Sequence, residues 1–413
     1  VKILIVSQYF WPENFRINDL VQELVKRGHD VTVLTGWPNY PEGEIFEDFK
    51  HSPEKYEAYH GAHVVRVPLS PRGKGAIRLM LNYLSFALAA SVLAPFKLAG
   101  RKFDVIFAYE PSPITVALPA IVLKYVKRAP MALWVLDLWP ESLSAVGAVR
   151  SPRILAAVGV MVRLIYARCD LILAQSKSFF DGIGKYCADK KKIRYFPSWS
   201  EELFYDSSVP MAPEVPASDD IFTVLFAGNI GDAQDFPTIL DAAERLRGRR
   251  DIRWVIVGDG RMTDWVRQQI AARGLHDAVL MVGRFPLERM TSFFAHADAL
   301  LVTLKANEVF AMTIPGKVQT YLSSGLPIIA SLDGEGAALI GESGAGFANA
   351  AGDSAALAAA VEKMAALSEV QRQAMGAAGK AYYAAQFKKE MLIDTLEDYF
   401  ADVAGNRAAN THA

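Results

Sequence analysis

Short apolar runs recur along this chain, and each ends in a loop of Gly, Pro or polar residues that leads into a segment of helical spacing. In the first half the runs are Lys2 to Ser7, His29 to Thr35, His63 to Val67, Asp104 to Ala108, Met131 to Leu136 and Leu171 to Ala174. Lys2 to Ser7 is apolar without alternation, as parallel strands buried on both faces are. Strands of this kind separated by helices predict an α/β chain made of β-α-β units. Tyr205 to Asp220 breaks the pattern with Pro, Ser, Ala and Asp and reads as a linker. The pattern restarts with Ile221 to Ala227, Arg253 to Val257, Val279 to Val282, Ala299 to Thr303 and Ile328 to Ser331. A chain of 413 residues is too long for one ordinary domain and comfortable for two. The expected division is a first Rossmann-like domain over 1–204, a linker over 205–220, a second domain over 221–388, a last helix over 389–404 and a frayed tail over 405–413.

Ile77 to Leu98 does not follow the amphipathic pattern. It is apolar nearly all round, with basic residues on both flanks. Three readings are open: a wholly buried domain helix, a helix partly exposed toward a membrane or lipid acceptor, and a membrane span. A span wants about 20 uninterrupted apolar residues. Asn82, Ser85 and Pro95 interrupt this one, and an ordinary sheet strand follows at once.

The stretch Glu308 to Pro327 carries the sharpest chemistry. It opens in a loop, passes Pro315 and Gly316, and enters a short helix ended by Gly325 and Pro327. A polar loop running into a helix start is where a phosphate can sit, and Lys317 adds a positive charge there. Comparable loops follow other strands of the second half. Gly228-Asn229-Ile230-Gly231 allows close backbone approach to an anion or is a tight turn without one; Gly258-Asp259-Gly260 and Gly283-Arg284-Phe285-Pro286 repeat the arrangement.

In the first half, carboxylates stand just past two strands: Glu110 in Tyr109 to Pro113, and Asp137 in Asp137-Leu138-Trp139-Pro140-Glu141-Ser142. An acid or base held at a strand end has rigid support; helix capping is the bland alternative for Asp137. Trp37 and Tyr40, in the loop TGWPNYPEG, are placed to stack on a sugar, to cover lipid, or merely to pack the loop. No GxGxxG follows the first strand, so a nicotinamide enzyme loses most of its support.

Charge sharpens the picture. Net charge is -1, but residues 1–200 hold 26 Lys and Arg against 17 Asp and Glu, and residues 201–413 hold 18 against 28. A basic first half suits an anionic surface, such as phospholipid headgroups or a lipid diphosphate, as well as ordinary surface variation. Positive charge is not gathered in a nucleic-acid-binding module. Only Cys169 and Cys187 occur, which gives neither a disulfide framework nor a zinc site, and no signal-peptide pattern precedes the first strand. The expectation is a cytoplasmic protein.

The order of loops resembles the GT-B-fold retaining glycosyltransferases of family 4, and within them the WbuB-like transferases of O-antigen and capsule assembly. The likeness lies in SQYFWPEN from Ser7 to Asn14, TGWPNYPEG, DLWPES from Asp137, GNIGDAQ from Gly228, VGDG from Val257 and IPGKVQTYLSSGLPI from Ile314. It covers nearly the whole chain. Two departures stand out. The family's paired glutamates, with seven residues between them before a Gly-x-Pro, fall on Met312 and Thr320, with Glu308 four residues early. Its diphosphate-binding Arg and Lys fall near Asn229 and Gln234, which leaves Lys317 and Arg284 to supply charge.

The resemblance implies two Rossmann-like domains facing each other across a deep cleft, with the last helix packing back on the first. It implies a UDP-sugar held by the second domain, through Gly228, Asn229, Gly231, Gly258, Asp259, Arg284, Phe285, Glu308, Phe310, Lys317 and Thr320. Asn14, Trp37, Tyr40 and Trp139 fall on the acceptor side, and Asp137, Glu110 and Lys317 are the catalytic candidates. The usual DxD site is not evident, so neither metal nor other cofactor is expected. The expected reaction moves an N-acetylated amino or deoxyamino sugar, with retention, onto an undecaprenyl diphosphate-linked saccharide at the inner face of the cytoplasmic membrane. Two rivals remain: a GT-B-fold UDP-N-acetylglucosamine 2-epimerase, and a non-catalytic nucleotide-sugar-binding or scaffold protein, prompted by the missing glutamates.

Overall fold

The apolar runs form two sheets. The structure, a computed structural model, describes residues 1–73, 75–145, 149–200, 209–218 and 220–411. Its contacts divide the chain into one unit of Val1–Pro197 with Glu390–Ala413 and another of Ser198–Lys389.

In the first unit the strands are β1 (Lys2–Val6), β2 (Asp30–Gly36), β3 (Ala58–Tyr59) and β4 (Ala62–Val67), then β5 (Val105–Glu110), β6 (Met131–Val135), β7 (Leu171–Ala174) and β8 (Ile193–Tyr195). They lie in the order β3-β4-β2-β1-β5-β6-β7-β8, parallel throughout except for the short β3–β4 pair. The second unit holds β9 (Phe222–Ala227), β10 (Ile252–Val257), β11 (Val279–Gly283), β12 (Ala299–Thr303), β13 (Ile328–Ser331) and β14 (Gly346–Asn349). Their order is β11-β10-β9-β12-β13-β14, all parallel. The expected two Rossmann-like α/β domains are therefore present. In each sheet the strand order reverses once, at β1/β5 and at β9/β12, and ligands of open α/β sheets bind where the loops past such a pair diverge.

The helix Ala76–Lys97 is long and apolar enough, by length and composition, to cross a bilayer. It is nonetheless the crossover between β4 and β5 of one sheet, and it packs against the helix Ala117–Lys127. Its own Phe86, Ala87, Ala90 and Ala94 are buried. A connection that returns to the same sheet cannot place its ends on opposite sides of a membrane. Its outer side is bare: Ile77, Met80, Leu81, Leu84, Leu88, Val92 and Phe96 form an exposed stripe at helical spacing.

Three boundaries differ from the sequence reading. Residues 205–208 and 219 of the expected linker lie outside the described residues, and the part between is docked on the second unit, not free. Ala212 and Val215 are buried in that unit's core, and Arg289 holds Glu214 through both carboxylate oxygens at 2.8 and 3.1 Å. His296 and Arg253 meet the carbonyls of Ala212 and Pro216 at 2.8 and 2.6 Å. The last helix spans Lys389–Thr411, through the residues expected to fray, of which 412–413 are outside the described residues. The first domain thus ends at Pro197 and is completed from Glu390 onward.

Candidate active site

The helix Gly316–Ser324 turns Val318, Tyr321 and Leu322 into the second unit's core, which leaves Lys317 beside the β9 loop. Tyr321 anchors the register: its hydroxyl accepts from the Ala227 N–H at 3.0 Å and donates to the Ala227 carbonyl at 3.2 Å. No side chain caps the helix start at Pro315. Lys317 is half-buried as a residue, and its ammonium is held by two neighbours. Nζ lies 3.6 Å from the centroid of the Phe226 ring and donates to Gln234 Oε1 at 2.6 Å. Among the described residues no carboxylate pairs with it. Burial pulls this ammonium down to about 7.

The stem lies over Gly228, whose φ is +140°; a Cβ there would stand 2.5 Å from Lys317 Cε. Gly258 is equally constrained, since a Cβ would meet the Gly228 carbonyl oxygen at 1.8 Å. Asn229 folds its amide back over Gly231 and toward Gly260. The two loops past β9 and β10 therefore interlock backbone to backbone, beside the β9/β12 pair where the strand order reverses. Lys305 closes the other side, its N–H donating to the Ala233 carbonyl at 3.0 Å and its ammonium meeting Asp232 at 2.5 Å.

The remaining donor-side candidates divide. Asp259 is engaged locally: Oδ1 accepts from Thr263 Oγ1 at 2.7 Å and the Gly260 N–H at 2.8 Å, bonds that hold its carboxyl below its ordinary value. Thr320 donates to the Gly316 carbonyl at 3.1 Å, inside its own helix. Glu308 opens a helix, Glu308–Met312, which the sequence reading left as loop; Asn307 caps it through the Val309 and Phe310 amides. Glu308 itself is exposed, as is Arg284, and Phe310 is half-buried. Phe285 packs on Phe293 with Arg289 over its ring.

In the first unit Glu110 is the last residue of β5, not past it as the sequence suggested, while Asp137 lies two residues past the neighbouring β6; the Leu136 N–H donates to the Glu110 carbonyl at 3.0 Å. Glu110 is fully buried, and neither carboxyl oxygen has a hydrogen-bond partner among the described residues. Burial, then the charge of Asp137, raises its carboxyl well above the ordinary range. Asp137 accepts from Ser142 Oγ and from Trp139 Nε1 at 3.3 Å. Burial raises its carboxyl too, against those bonds. Trp139, buried, is thus a support for Asp137.

The loops past β1 and β2 are joined by Glu13, which the sequence reading passed over in favour of its exposed neighbour Asn14. Glu13 Oε1 accepts from the Asn39 and Tyr40 amides, both at 2.8 Å, and Oε2 accepts from the Phe10 amide at 3.1 Å. Burial pushes this carboxyl up to about 7, against the pull of the three amides and of Arg66. Tyr40 packs on Tyr9 and Phe15, and the Arg72 guanidinium lies 5.2 Å from its ring. Trp37 stands apart, 38% exposed and packed on Phe49. Buried Asn82, from the exposed apolar helix, accepts from Gln8 Nε2 at 2.7 Å and the Tyr9 hydroxyl at 3.1 Å. Its amide donates to Asn39 Oδ1 at 3.2 Å and the Ser70 carbonyl at 2.7 Å.

Both halves match known sequence families. Residues 14–199 match the model described as glycosyl transferase 4-like domain, and residues 221–366 match that described as glycosyl transferases group 1. The chain is 24% identical over 349 residues to the putative colanic acid biosynthesis glycosyl transferase WcaI of Escherichia coli K12, covering 79% of this chain and 82% of that protein. Among solved structures, Anabaena HepE in complex with UDP superposes with a TM-score of 0.69 at 16% identity, over 97% of this chain and 100% of that one. Sucrose-phosphate synthase from Thermosynechococcus elongatus gives 0.70 at 16% identity, over 98% and 99%.

Proposed function

Because the chain belongs to the glycosyltransferases of group 1 with a family-4-like first domain, and has their GT-B fold, we propose that it transfers a sugar from a UDP-sugar to a lipid diphosphate-linked saccharide in polysaccharide synthesis. The observation that carries this reading is the Lys317 ammonium at the β9/β12 switch point. A buried cation with a neutral partner awaits an anion. The HepE structure contains UDP, and the WcaI relative is described for colanic acid biosynthesis, which favours UDP and an extracellular polysaccharide.

In this reading the donor diphosphate meets Lys317, the Gly316 helix start and the interlocked loops at Gly228 and Gly231. The family's loop-borne cation is replaced by one from the helix. As the bond from C1 to the β-phosphate oxygen breaks, charge grows on the leaving UDP, and Lys317 stabilises it more than the ground state. No metal is called on. The acceptor oxygen forms the new bond to C1 with retention, and its proton leaves with the phosphate. Asp137, fixed by Ser142 and Trp139, orients the acceptor hydroxyl, with buried Glu110 on the neighbouring strand. An N-acetylated amino or deoxyamino sugar is the donor class. The protein works as a peripheral protein at the inner face of the cytoplasmic membrane, which the basic first half and the exposed stripe from Ile77 to Phe96 favour.

The test is a nucleotide-release assay with UDP-, GDP- and ADP-sugars, with and without a short lipid diphosphate-GlcNAc. UDP release that needs the lipid, with a one-sugar mass gain in the product, is the expected result. UDP release without an acceptor product, or no nucleotide binding across the panel, sinks the reading.

A further inference from the structure

The loops past β1 and β2 part company once their strands end. The last backbone contact between them is the Gly36 N–H, which donates to the Gln8 carbonyl at 3.2 Å. Beyond it, among the described residues, no backbone–backbone hydrogen bond joins residues 9–15 to residues 37–46. Two buried charged side chains join them instead. Glu13, 2% exposed, accepts from amides of both loops, Phe10 in one and Asn39 and Tyr40 in the other. Arg66 of β4, 9% exposed, donates to carbonyls on both sides: Nη1 to Gly36 at 2.8 Å and Nη2 to Trp11. Its guanidinium lies 5.5 Å from the Phe49 ring and 5.9 Å from the Tyr56 ring. Each charge favours the ionised form of the other. An ionised carboxylate only accepts and a guanidinium only donates, so the two residues serve opposite halves of the same backbone. What they hold in place is Asn14, next in the chain to Glu13, and Tyr40, packed on Tyr9 and Phe15.

We propose that Arg66 and Glu13 are positioning residues for the acceptor: together they fix where Asn14 and Tyr40 stand, without touching the substrate themselves. This rests on the transferase reading and on the acceptor meeting these loops. The loops carry binding groups, whereas Asp137 and Glu110 belong to β5 and β6. Loosening the loops therefore weakens the hold on the acceptor and leaves the donor and the chemical step alone. A pair that served packing only would lower stability and move every kinetic constant alike.

The test uses two conservative variants of the full chain. Arg66→Lys keeps the charge but lacks the rigid fork that reaches two carbonyls. Glu13→Gln keeps the shape but has one oxygen where three amides need two. Each should raise the acceptor KM about tenfold, the worth of a hydrogen bond to a charged group, with kcat and the donor KM unchanged. The double variant should raise it no further than the worse single one, because the two residues act as one unit. Amide hydrogen exchange gives a readout independent of transfer. Arg66 does not bond the Asn39 and Tyr40 amides, yet both should exchange faster in Arg66→Lys. Donor and acceptor KM rising together with a lowered Tm overturn the proposal, as does a double variant whose two effects multiply. If the wild type transfers no sugar from any donor, the transferase reading has failed. The exchange rates then decide alone: faster exchange upholds the joint hold of Arg66 and Glu13 on the loops, and unchanged exchange overturns it.

Discussion

Lys317 Nζ donates to Gln234 Oε1 at 2.6 Å, so the cation of one helix start fills the place beside a loop position where a glutamine stands. If the two positions share one task, the charge can be moved. Lys317→Met should weaken UDP binding about ten- to hundredfold, the worth of a charge-assisted hydrogen bond. The double variant Gln234→Lys with Lys317→Met should recover most of that loss by calorimetry. Full affinity in the single variant would remove Lys317 from the donor site.

Gly228 makes room for that lysine. Gly228→Ala puts a Cβ where Lys317 Cε lies, at a φ that L-residues rarely adopt. We expect a loss of UDP affinity at least as large as for Lys317→Met, with a stability cost of about 1–3 kcal/mol in thermal melts. An alanine variant with unchanged affinity would mean that the stem is free to lie elsewhere.

Two buried groups give opposite pH trends. Lys317 is pulled down to about 7, so above that pH the unfolded chain holds a proton that the folded protein lacks. Its contribution to stability therefore rises with pH from about 7 toward its ordinary range. Glu13 is pushed up to about 7, so its contribution is full below its ordinary value and is lost as pH rises through 7. Melts at pH 5, 7 and 9 should show wild type gaining on Lys317→Met between pH 7 and 9. It should lose ground to Glu13→Gln between pH 5 and 9. UDP binding should weaken above about pH 7 in wild type and stay level in Lys317→Met, because the anion needs the protonated amine.

Asp137→Asn should lower the transfer rate by about 10²- to 10⁴-fold with melting unchanged. Glu110→Gln should be mild, since the glutamine keeps the size of a carboxyl whose ionisation burial and Asp137 both oppose. A Glu110→Gln loss as deep as that of Asp137→Asn would show that Glu110 ionises during the reaction, and would exchange their roles.

Much of the fold was legible because buried parallel strands leave uninterrupted apolar runs, as Phe222–Ala227 and Ile252–Val257 do. The place of Lys317 was legible because a polar loop running into a helix is a local pattern, and the structure has Lys317 in the first turn of the helix Gly316–Ser324. Glu13 was not, because its partners Asn39 and Tyr40 lie far along the chain and pair with it only once β1 and β2 are side by side. The departure at Gln234 was visible, but its contact with Lys317 needs two loops that only the sheet order brings together. The short helix Glu308–Met312 escaped notice because it is too brief to show a period.

The return of the last helix has a consequence for biosynthesis. Phe400 sets its ring edge-on against Phe107 of β5, and Asp394 and Glu397 hold Arg27 at the end of the first helix. All three partners lie beyond residue 389, so they leave the ribosome only after the whole of Ser198–Lys389 has been made. The first domain to be translated is then the last to be finished. Until that moment its Phe107 side stays uncovered, and a nascent chain stalled in the second half would expose an unsealed first domain to chaperones and proteases.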